Sequence, residues 1–121
     1  MRHRRAHRQL GRAADQRLAI LRSLLTGVIT HGRIETTAVR AKEAKPVLEK
    51  LITSARGGEI AARRLARRCL GNQPTVIKRL FDVVAPQYKT RPGGYARIIR
   101  TSVRRGDSTQ LALLELVDFS E

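Results

Sequence analysis

The side chains of this sequence that could do chemistry are its arginines, and the densest group of them lies in residues 1–12. That segment carries five arginines, two histidines and no acid. Guanidinium groups bind phosphate oxygens through paired hydrogen bonds and stack on planar rings. Because like charges at this density repel one another, and because the segment has no apolar face, we expect it to be extended. We predict a basic arm, residues 1–13, that becomes ordered on a polyanion; a solvated tail is the alternative.

A second basic group falls within a helical pattern. Arg63, Arg64, Arg67 and Arg68 form two like-charge pairs at i,i+4 spacing. Each such pair destabilises an isolated helix by a few tenths of a kcal/mol. A bound anion would offset that cost, and a solvated helix face is the alternative interpretation.

A third basic group surrounds two glycines in residues 91–97. Glycines allow a backbone to approach a phosphate closely, and Tyr95 could stack on a base or a ribose. The alternative is an ordinary glycine turn in which Tyr95 caps the sheet. Beyond the glycines, arginines recur at positions that could line the open face of a sheet: Arg97, Arg100, Arg104 and Arg105.

The overall charge indicates the same kind of partner. The chain has 25 Lys and Arg against 10 Asp and Glu, a formal net charge of +15. A compact domain with this charge repels itself unless a polyanion is bound, so nucleic acid is the expected partner and a membrane surface the second possibility. Because only 3% of the residues are aromatic, a single-strand-binding platform built on serial stacking is disfavoured.

Enzymatic chemistry has no recognisable signature in this sequence. It contains no P-loop, no Gly-x-Ser-x-Gly and no His-Glu-x-x-His motif, and its acids suggest no paired-carboxylate site. One cysteine, Cys69, and three histidines cannot build a disulfide or a zinc cluster. No apolar run approaches the length of about 18 residues that a transmembrane helix needs. We therefore predict a protein that is not an enzyme and has no cofactor, metal site, membrane contact or small-molecule substrate.

The elements that must position these arginines follow from the spacing of apolar residues and from cap and turn signals. Asp15 is the expected cap of the first helix and Thr36 or Thr37 that of the second. Pro46 should kink the second helix or, less favourably, break it, and Pro74 should open the fourth. The predicted order is α-β-α-α-α-β-β, with helices at 16–31, 37–55, 59–70 and 74–86 and strands at 33–37, 95–103 and 111–118.

Each predicted helix carries an apolar stripe, and we expect Phe81 to be packed in the core rather than stacked on a base. The final hairpin is the natural nucleus of the sheet, whose one face the helices would cover. The predicted fold is therefore α+β, with four helices on a small mixed three-stranded sheet, in a single domain at 14–121. Representative members of the stripes are Leu18, Leu25, Val28, Leu48, Leu51, Ile52, Ile60, Ala66, Leu80 and Val84.

A set of short motifs is spread along the whole chain, namely Met1-Arg2-His3, Gln9-Leu10-Gly11-Arg12, Ile34-Glu35-Thr36-Thr37, Ala41-Lys42-Glu43, Leu51-Ile52-Thr53, Gly93-Gly94-Tyr95-Ala96-Arg97-Ile98, Arg105-Gly106-Asp107 and Glu115-Leu116-Val117. In this order they resemble the bacterial large-subunit ribosomal protein family seventeen. Each motif alone is weak, but jointly they are highly specific. Pro46 departs from the family pattern, and residues 56–75 match it poorly.

The resemblance implies a protein that binds large-subunit ribosomal RNA on the solvent side, near the polypeptide exit. It also implies an α/β fold with helices over a small mixed sheet. Family members use the basic arm and the Gly-Gly-Tyr-x-Arg segment against RNA, whereas no RNA role passes by resemblance to the arginines of the third helix. The positions that inherit an RNA contact in this way are Arg2, His3, Arg4, Arg12, Gly93, Gly94, Tyr95 and Arg97.

These observations predict a structural constituent of the large ribosomal subunit that neutralises phosphates and holds rRNA segments together. Its partners would be large-subunit rRNA and neighbouring large-subunit ribosomal proteins, in the bacterial cytoplasm or, secondly, in an organelle ribosome. The alternative function is an architectural nucleoid protein, a dimer whose arm reads the minor groove of DNA. A membrane-surface peptide ranks third, because its basic helices would need an apolar face that is not already buried in the core. The predicted RNA-binding residues are Arg2, His3, Arg4, Arg5, Arg8, Arg12, Thr36, Arg40, Lys42, Arg91, Gly93, Gly94, Tyr95, Arg97 and Arg100.

Overall fold

The computed structural model describes residues 7–120 of the chain and shows the predicted α+β fold. Helix α4 is continuous through three stretches, Pro74–Arg79, Leu80–Val84 and Ala85–Gln87, of which the middle one is π-helical. The predicted order of helices and strands is confirmed, and α4 ends one residue later than expected. The other elements are α1 (Ala14–His31), β1 (Arg33–Thr37), α2 (Ala38–Ala55), α3 (Ile60–Leu70), β2 (Ala96–Val103) and β3 (Gln110–Leu116).

The three strands form one sheet in the order β1-β3-β2, and both neighbouring pairs are antiparallel. Leu114 in the central strand lies opposite Ile34 on one side and Ile98 on the other. The expectation of a mixed sheet is therefore wrong. β1 and β2 run in the same direction, but β3 lies between them, so no parallel pair forms within the described part of the chain.

Helix α2 is the centre of the core, and the other helices and the sheet pack around it. Thr37 caps it as expected, because its hydroxyl accepts a hydrogen bond from the backbone N–H of Arg40 at 3.4 Å. The helix runs without a break through Pro46, whose position is exposed. The carbonyl that the proline leaves without a helical partner can therefore bind water. The buried residues of α2 are Ala38, Ala41, Ala44, Leu48, Leu51, Ile52 and Ala55.

Two residues predicted for the core lie at the surface instead. Leu18 is 59% exposed and Ile60 is 71% exposed. The buried residues of α1 are Leu25, Val28 and Ile29, and Leu18 lies about two turns before the first of them. Ile60 is the first residue of α3, whose buried stripe consists of small residues and one leucine, namely Ala62, Ala66 and Leu70.

The two ends of α1 differ in how well the sequence predicted them. Gly32 ends the helix as expected, with a φ of 83° that L side chains rarely adopt. A Cβ at Gly32 would also lie 3.0 Å from the ring of Phe119. At the start, however, the cap position is Ala13, and Asp15 lies inside the first turn. There its negative charge favours the positive end of the helix dipole.

Tyr88 ties the C-terminal segment to the core. Its side chain is 2% exposed, and its hydroxyl donates a hydrogen bond of 2.7 Å to the carbonyl of Val117. The ring packs against that of Tyr95, with centroids 5.3 Å apart and planes tilted by 59°. Burial disfavours the phenolate and raises the pKa of Tyr88 to about 12.

We expect the free energy of unfolding to fall as the pH rises from 10 to 12. In the unfolded chain Tyr88 loses its proton near its ordinary pKa of 10, whereas in the folded chain it keeps the proton until about 12. The stabilisation is complete below pH 10 and lost as the pH rises through 12, with an upper bound of about 3 kcal/mol. Urea unfolding at a series of pH values measures this loss.

The matched control is Tyr88→Phe, which keeps the buried ring and removes the titrating hydroxyl. Its unfolding free energy should fall less between pH 10 and 12 than that of the parent protein. All other side chains are shared by the two proteins, so the difference between their pH profiles reports on the Tyr88 hydroxyl. Identical pH profiles for the two proteins would contradict a buried, protonated Tyr88.

Candidate nucleic-acid interface

The base of the arm is bound to helix α2. Arg8 Nη1 donates to Glu43 Oε1 at 2.7 Å, and His7 Nδ1 lies 4.0 Å from the other carboxylate oxygen of Glu43. The side chain of Glu43 is only 9% exposed, while that of Arg8 is 49% exposed. A charge-assisted hydrogen bond to a mostly buried carboxylate holds residue 8 against α2. The predicted contacts Arg2, His3, Arg4 and Arg5 lie outside the described residues.

The arm also has an apolar contact that the sequence did not predict. Leu10 is half-buried and lines a groove of about 460 Å³ together with α1, α2 and α3. The exposed Leu18 lies on the same groove. The expectation that the whole arm lacks an apolar contact is therefore wrong for its last residues. Four arginines border this groove, namely Arg8, Arg17, Arg22 and Arg68.

The loop of residues 88–95 is held in one shape by hydrogen bonds to its backbone. Arg56, at the end of α2, donates to the carbonyls of Arg91 and Lys89 at 2.9 and 3.3 Å. Arg91 in turn donates through Nε to the carbonyl of Gly93 at 3.2 Å and lies 3.4 Å from a carboxylate oxygen of Asp118. Arg56 was not among the predicted residues, and no local pattern around it indicates that it organises a loop 35 residues away.

Tyr95 belongs to the core and not to the surface. Its side chain is 1% exposed, and its hydroxyl accepts a short hydrogen bond from Arg56 Nη1. Thr53 Oγ1 also lies at hydrogen-bond distance, 3.5 Å, from that hydroxyl. A ring enclosed in this way offers no face to a base, so the expectation that Tyr95 stacks on a base or a ribose is wrong, and Tyr95 instead packs in the core where the chain enters β2. From the core, Tyr95 anchors the loop of residues 88–95.

The two glycines before Tyr95 differ in backbone but share open surroundings. No atom lies within 4 Å of where a Cβ would stand on Gly93 or on Gly94. Gly94 has a φ of 65°, whereas Gly93 does not have a left-handed backbone. The space beside both residues is thus free to receive a ligand backbone, and only Gly94 is needed for the fold of the turn.

Arg97 and Arg100 lie on opposite faces of the sheet. Arg97 is opposite Glu115, on the outer face, and its Nε is 2.5 Å from Glu115 Oε1. Arg100 is opposite Ala112, which is fully buried beneath the helices. Since strand side chains alternate with a period of two, residues three apart cannot share a face. The expectation that the arginines of this strand all line the open face is therefore wrong.

The sheet nevertheless aligns candidate residues in two rows across its strands. Arg33 and Arg97 stand on either side of Glu115 in the outer row. Thr36 and Arg100 stand on either side of Ala112 in the inner row. Each row therefore brings together residues more than 60 positions apart in the sequence.

Two candidates lie near the base of the arm, and another basic residue belongs to the hairpin turn. Lys42 is exposed and directly precedes Glu43, to which the arm is bound, and Arg40 is half-buried one turn earlier. Arg104 is paired with Asp107 at 2.6 Å within the turn. The hydrogen bonds from Arg104 and Thr109 hold the pKa of the Asp107 carboxyl well below its usual range. Arg104 therefore stabilises the turn, and its positive charge is largely neutralised by Asp107.

Metal ligation and membrane spanning concern residues 7–120. No group of three or more His, Cys, Asp and Glu residues there is arranged to hold a metal ion. None of the helices in that part of the chain combines the length and the hydropathy needed to span a membrane.

The structure thus defines a class, that of a small and strongly basic α+β protein whose arginines surround one packed core. The chain belongs to the ribosomal protein L17 family, whose profile matches residues 20–117. The prediction drawn from the motifs is confirmed, and the matched range includes residues 56–75, which carry little of the motif pattern.

Bacterial relatives match nearly the full length of the chain. Large ribosomal subunit protein bL17 of Gemmatimonas aurantiaca is 50% identical over 117 residues, which are 97% of this chain and 98% of that protein. The protein of the same name from Clostridium acetobutylicum is 50% identical over 111 residues, 92% of this chain and 96% of its own. That of Clostridium beijerinckii is 49% identical over 111 residues, 92% and 97% of the two chains.

Proposed function

We propose that this protein is a structural constituent of the large ribosomal subunit and that it binds large-subunit rRNA. The observation that carries the proposal is the match, at about half identity over nearly the whole chain, to proteins named for that subunit. The physical support is the formal net charge of +15. The proposed role involves no turnover, no cofactor and no small-molecule substrate.

The proposed binding acts through phosphate neutralisation from a fixed framework. The arm would follow the RNA backbone from the point where Arg8 binds Glu43. Each arginine or lysine that neutralises a phosphate releases condensed counterions, which favours binding at low salt. Because Glu43 already holds the base of the arm, less conformational entropy is lost when RNA orders the rest.

The proposed interface comprises the arm, the start of α2, the loop before β2 and Arg97 on the outer face of β2. Arg91 is mostly engaged with its own loop, so its role is to shape the backbone around the glycines. Neighbouring large-subunit proteins are the proposed protein partners. The bacterial origin of the relatives favours a ribosome in the bacterial cytoplasm over one in an organelle.

Sucrose-gradient fractionation of a cell extract tests this proposal directly. The protein, detected by an antibody, should sediment with the large subunit and stay with it after magnesium depletion separates the two subunits. A nucleoid protein would instead sediment with DNA and be released by DNase. Release by DNase, with none in the large-subunit fraction, would establish the nucleoid alternative and refute the ribosomal one.

Alanine at the two glycines separates close approach of RNA from the needs of the fold. Gly93→Ala should leave the thermal transition unchanged, since its Cβ meets open space, yet weaken rRNA binding if the backbone of RNA lies there. Gly94→Ala should destabilise the fold by about 1 kcal/mol, since its φ is positive. Melting curves and filter binding to purified large-subunit rRNA measure the two effects.

Arg97→Lys is the companion variant on the sheet. It keeps the positive charge beside Glu115 but loses the planar fork that binds phosphate through two hydrogen bonds. Weaker binding with an unchanged melting curve is the expected outcome. Parental binding by both Gly93→Ala and Arg97→Lys would show that this region only leads the chain into the strand.

A further inference from the structure

Three of the four arginines of α3 lie on two different flanks of that helix. Its buried stripe, Ala62, Ala66 and Leu70, faces the core and separates them. Arg68 lines the groove shared with the arm and α1. Arg63 and Arg67, by contrast, line a separate cleft between α3 and α4. The like-charge cluster in the sequence is therefore two distinct surfaces in the fold.

Three positively charged side chains line the cleft between α3 and α4. Its volume is about 410 Å³, and its charged lining is Arg63, Arg67, Lys78 and the single acid Asp82. Within residues 7–120 no carboxylate oxygen lies within 4.0 Å of any of these three cations. The lining also includes Asn72, whose side-chain amide can donate to an oxygen. The three cations and one acid give the lining a formal charge of +2, and no ion pair among these described residues of the cleft neutralises it.

One of these cations is already held in place. The Arg63 guanidinium lies over the ring of Phe81, 4.4 Å from its centroid, in a cation–π contact. Such stacking uses the face of the guanidinium plane and leaves the N–H groups at its edge free to donate. Phe81 itself is fixed in the core, so Arg63 loses little conformational entropy when it binds an anion.

A second hollow continues from the cleft toward Lys89, in the loop of residues 88–95. It has a volume of about 230 Å³ and shares Arg63 and Asp82 with the cleft. Its other charged residues are Arg56 and Lys89, the latter exposed at the start of the loop. The two hollows thus form one basic track across α3, α4 and the end of α2.

We propose that this track binds the phosphate backbone of a second rRNA segment, separate from the segment that the arm binds. The inference rests on the proposed function and assigns to the protein a bridge between two RNA segments. The cations line two adjoining hollows that share Arg63, so several of them can meet the phosphates of one RNA strand. Their mutual repulsion along α3 is relieved once phosphates lie between them.

A charge-matched pair of variants tests the affinity. Arg67→Gln with Lys78→Gln removes two cations from the cleft, and Arg64→Gln with Lys50→Gln removes two exposed cations elsewhere. The cleft pair should weaken filter binding to purified large-subunit rRNA roughly tenfold, and the slope of log affinity against log salt should fall by about 1.4–1.8. The control pair should change the affinity less than about threefold, with both proteins melting cooperatively. Equal losses in the two pairs would overturn the proposal.

Directed hydroxyl-radical cleavage tests whether two RNA segments are involved. In a Cys69→Ser background, Asn72→Cys or Gln9→Cys carries a tethered iron chelate in the cleft or on the arm. Cleavage of different rRNA segments from the two positions supports the bridge. Cleavage of the same nucleotides from both, or from position 9 alone, overturns the second site and leaves the proposed function standing. Absence of cleavage from both positions counts against rRNA binding as a whole.

Discussion

Removal of residues 2–6 is expected to lower the affinity for large-subunit rRNA roughly 100-fold near physiological salt, because three phosphate-binding arginines are lost. The slope of log affinity against log salt should fall by about two to three, at 0.7–0.9 for each lost contact. The thermal transition should stay nearly unchanged, since this segment has no apolar face for the core. Filter binding over a salt series and a melting curve measure these quantities.

A longer truncation, through Arg12, separates binding from anchoring. It also removes Arg8 and Leu10, so Glu43 loses its partner and the groove loses one wall. Loss of a charge-assisted hydrogen bond to a mostly buried carboxylate costs about 1.5–3 kcal/mol, so this variant should melt earlier. The short truncation should show no such loss of stability.

The control for the short truncation removes three charges elsewhere, by Arg64→Gln, Lys50→Gln and Arg105→Gln. These residues are exposed and lie outside the interface and the track proposed above. If the control weakened binding as much as the truncation, net charge alone would account for affinity. A truncated protein that bound within about threefold of the full chain would contradict the arm as the main binding element.

Replacement of Phe81 by alanine is expected to reduce the free energy of unfolding by about 3–5 kcal/mol. Phe81 is 9% exposed and packs with Leu80 and Val84 in the core. The substitution leaves a cavity and also removes the ring on which Arg63 lies. Since domains of this size are stable by only about 5–15 kcal/mol, the loss should be evident in urea unfolding.

Phe81→Leu is the matched control, because it keeps most of the apolar volume while removing the aromatic face. It should cost less than Phe81→Ala, and it should loosen Arg63 without emptying the core. A Phe81→Ala protein that unfolded like the parent but bound rRNA poorly would make Phe81 a stacking residue. That outcome would remove Phe81 from the core in which the structure places it.

Much of the fold could be predicted from the sequence, because the signals that specify it are local. The stripe of α2, the cap at Thr37 and the stop at Gly32 each act within one or two helical turns. The alternation in β2 and β3 predicts strands by the same kind of short-range pattern. The positive charge and the ordered motifs likewise needed no structure, and they led to the correct family.

The predicted core was wrong where the apolar spacing of a helix continues past the part of that helix that packs against a neighbouring element. Leu18 and Ile60 satisfy the helical spacing, yet both lie at the surface. Spacing states which side chains share a face but not how far along the helix a neighbouring element reaches. The mixed sheet was wrong for a related reason, since strand order depends on which strand takes the central position.

The candidate site was decided by contacts between residues that are distant in sequence. Arg8 and Glu43 are 35 residues apart, as are Arg56 and the carbonyl of Arg91. Tyr95 is typical of a base-stacking residue in its motif, but packing against Tyr88 buries its ring. No local pattern encodes such pairs, because they form only when separate elements have packed.

The sequence by itself determined the family, the order of the elements and the excess of positive charge. The tertiary structure alone decided where that charge is available. It pairs Arg97 with Glu115, uses Arg56 to hold a loop, and divides the arginines of α3 between two flanks. The physical reason is that a side chain's charge is a property of its residue type. Its neighbours and its exposure are properties of the packed chain.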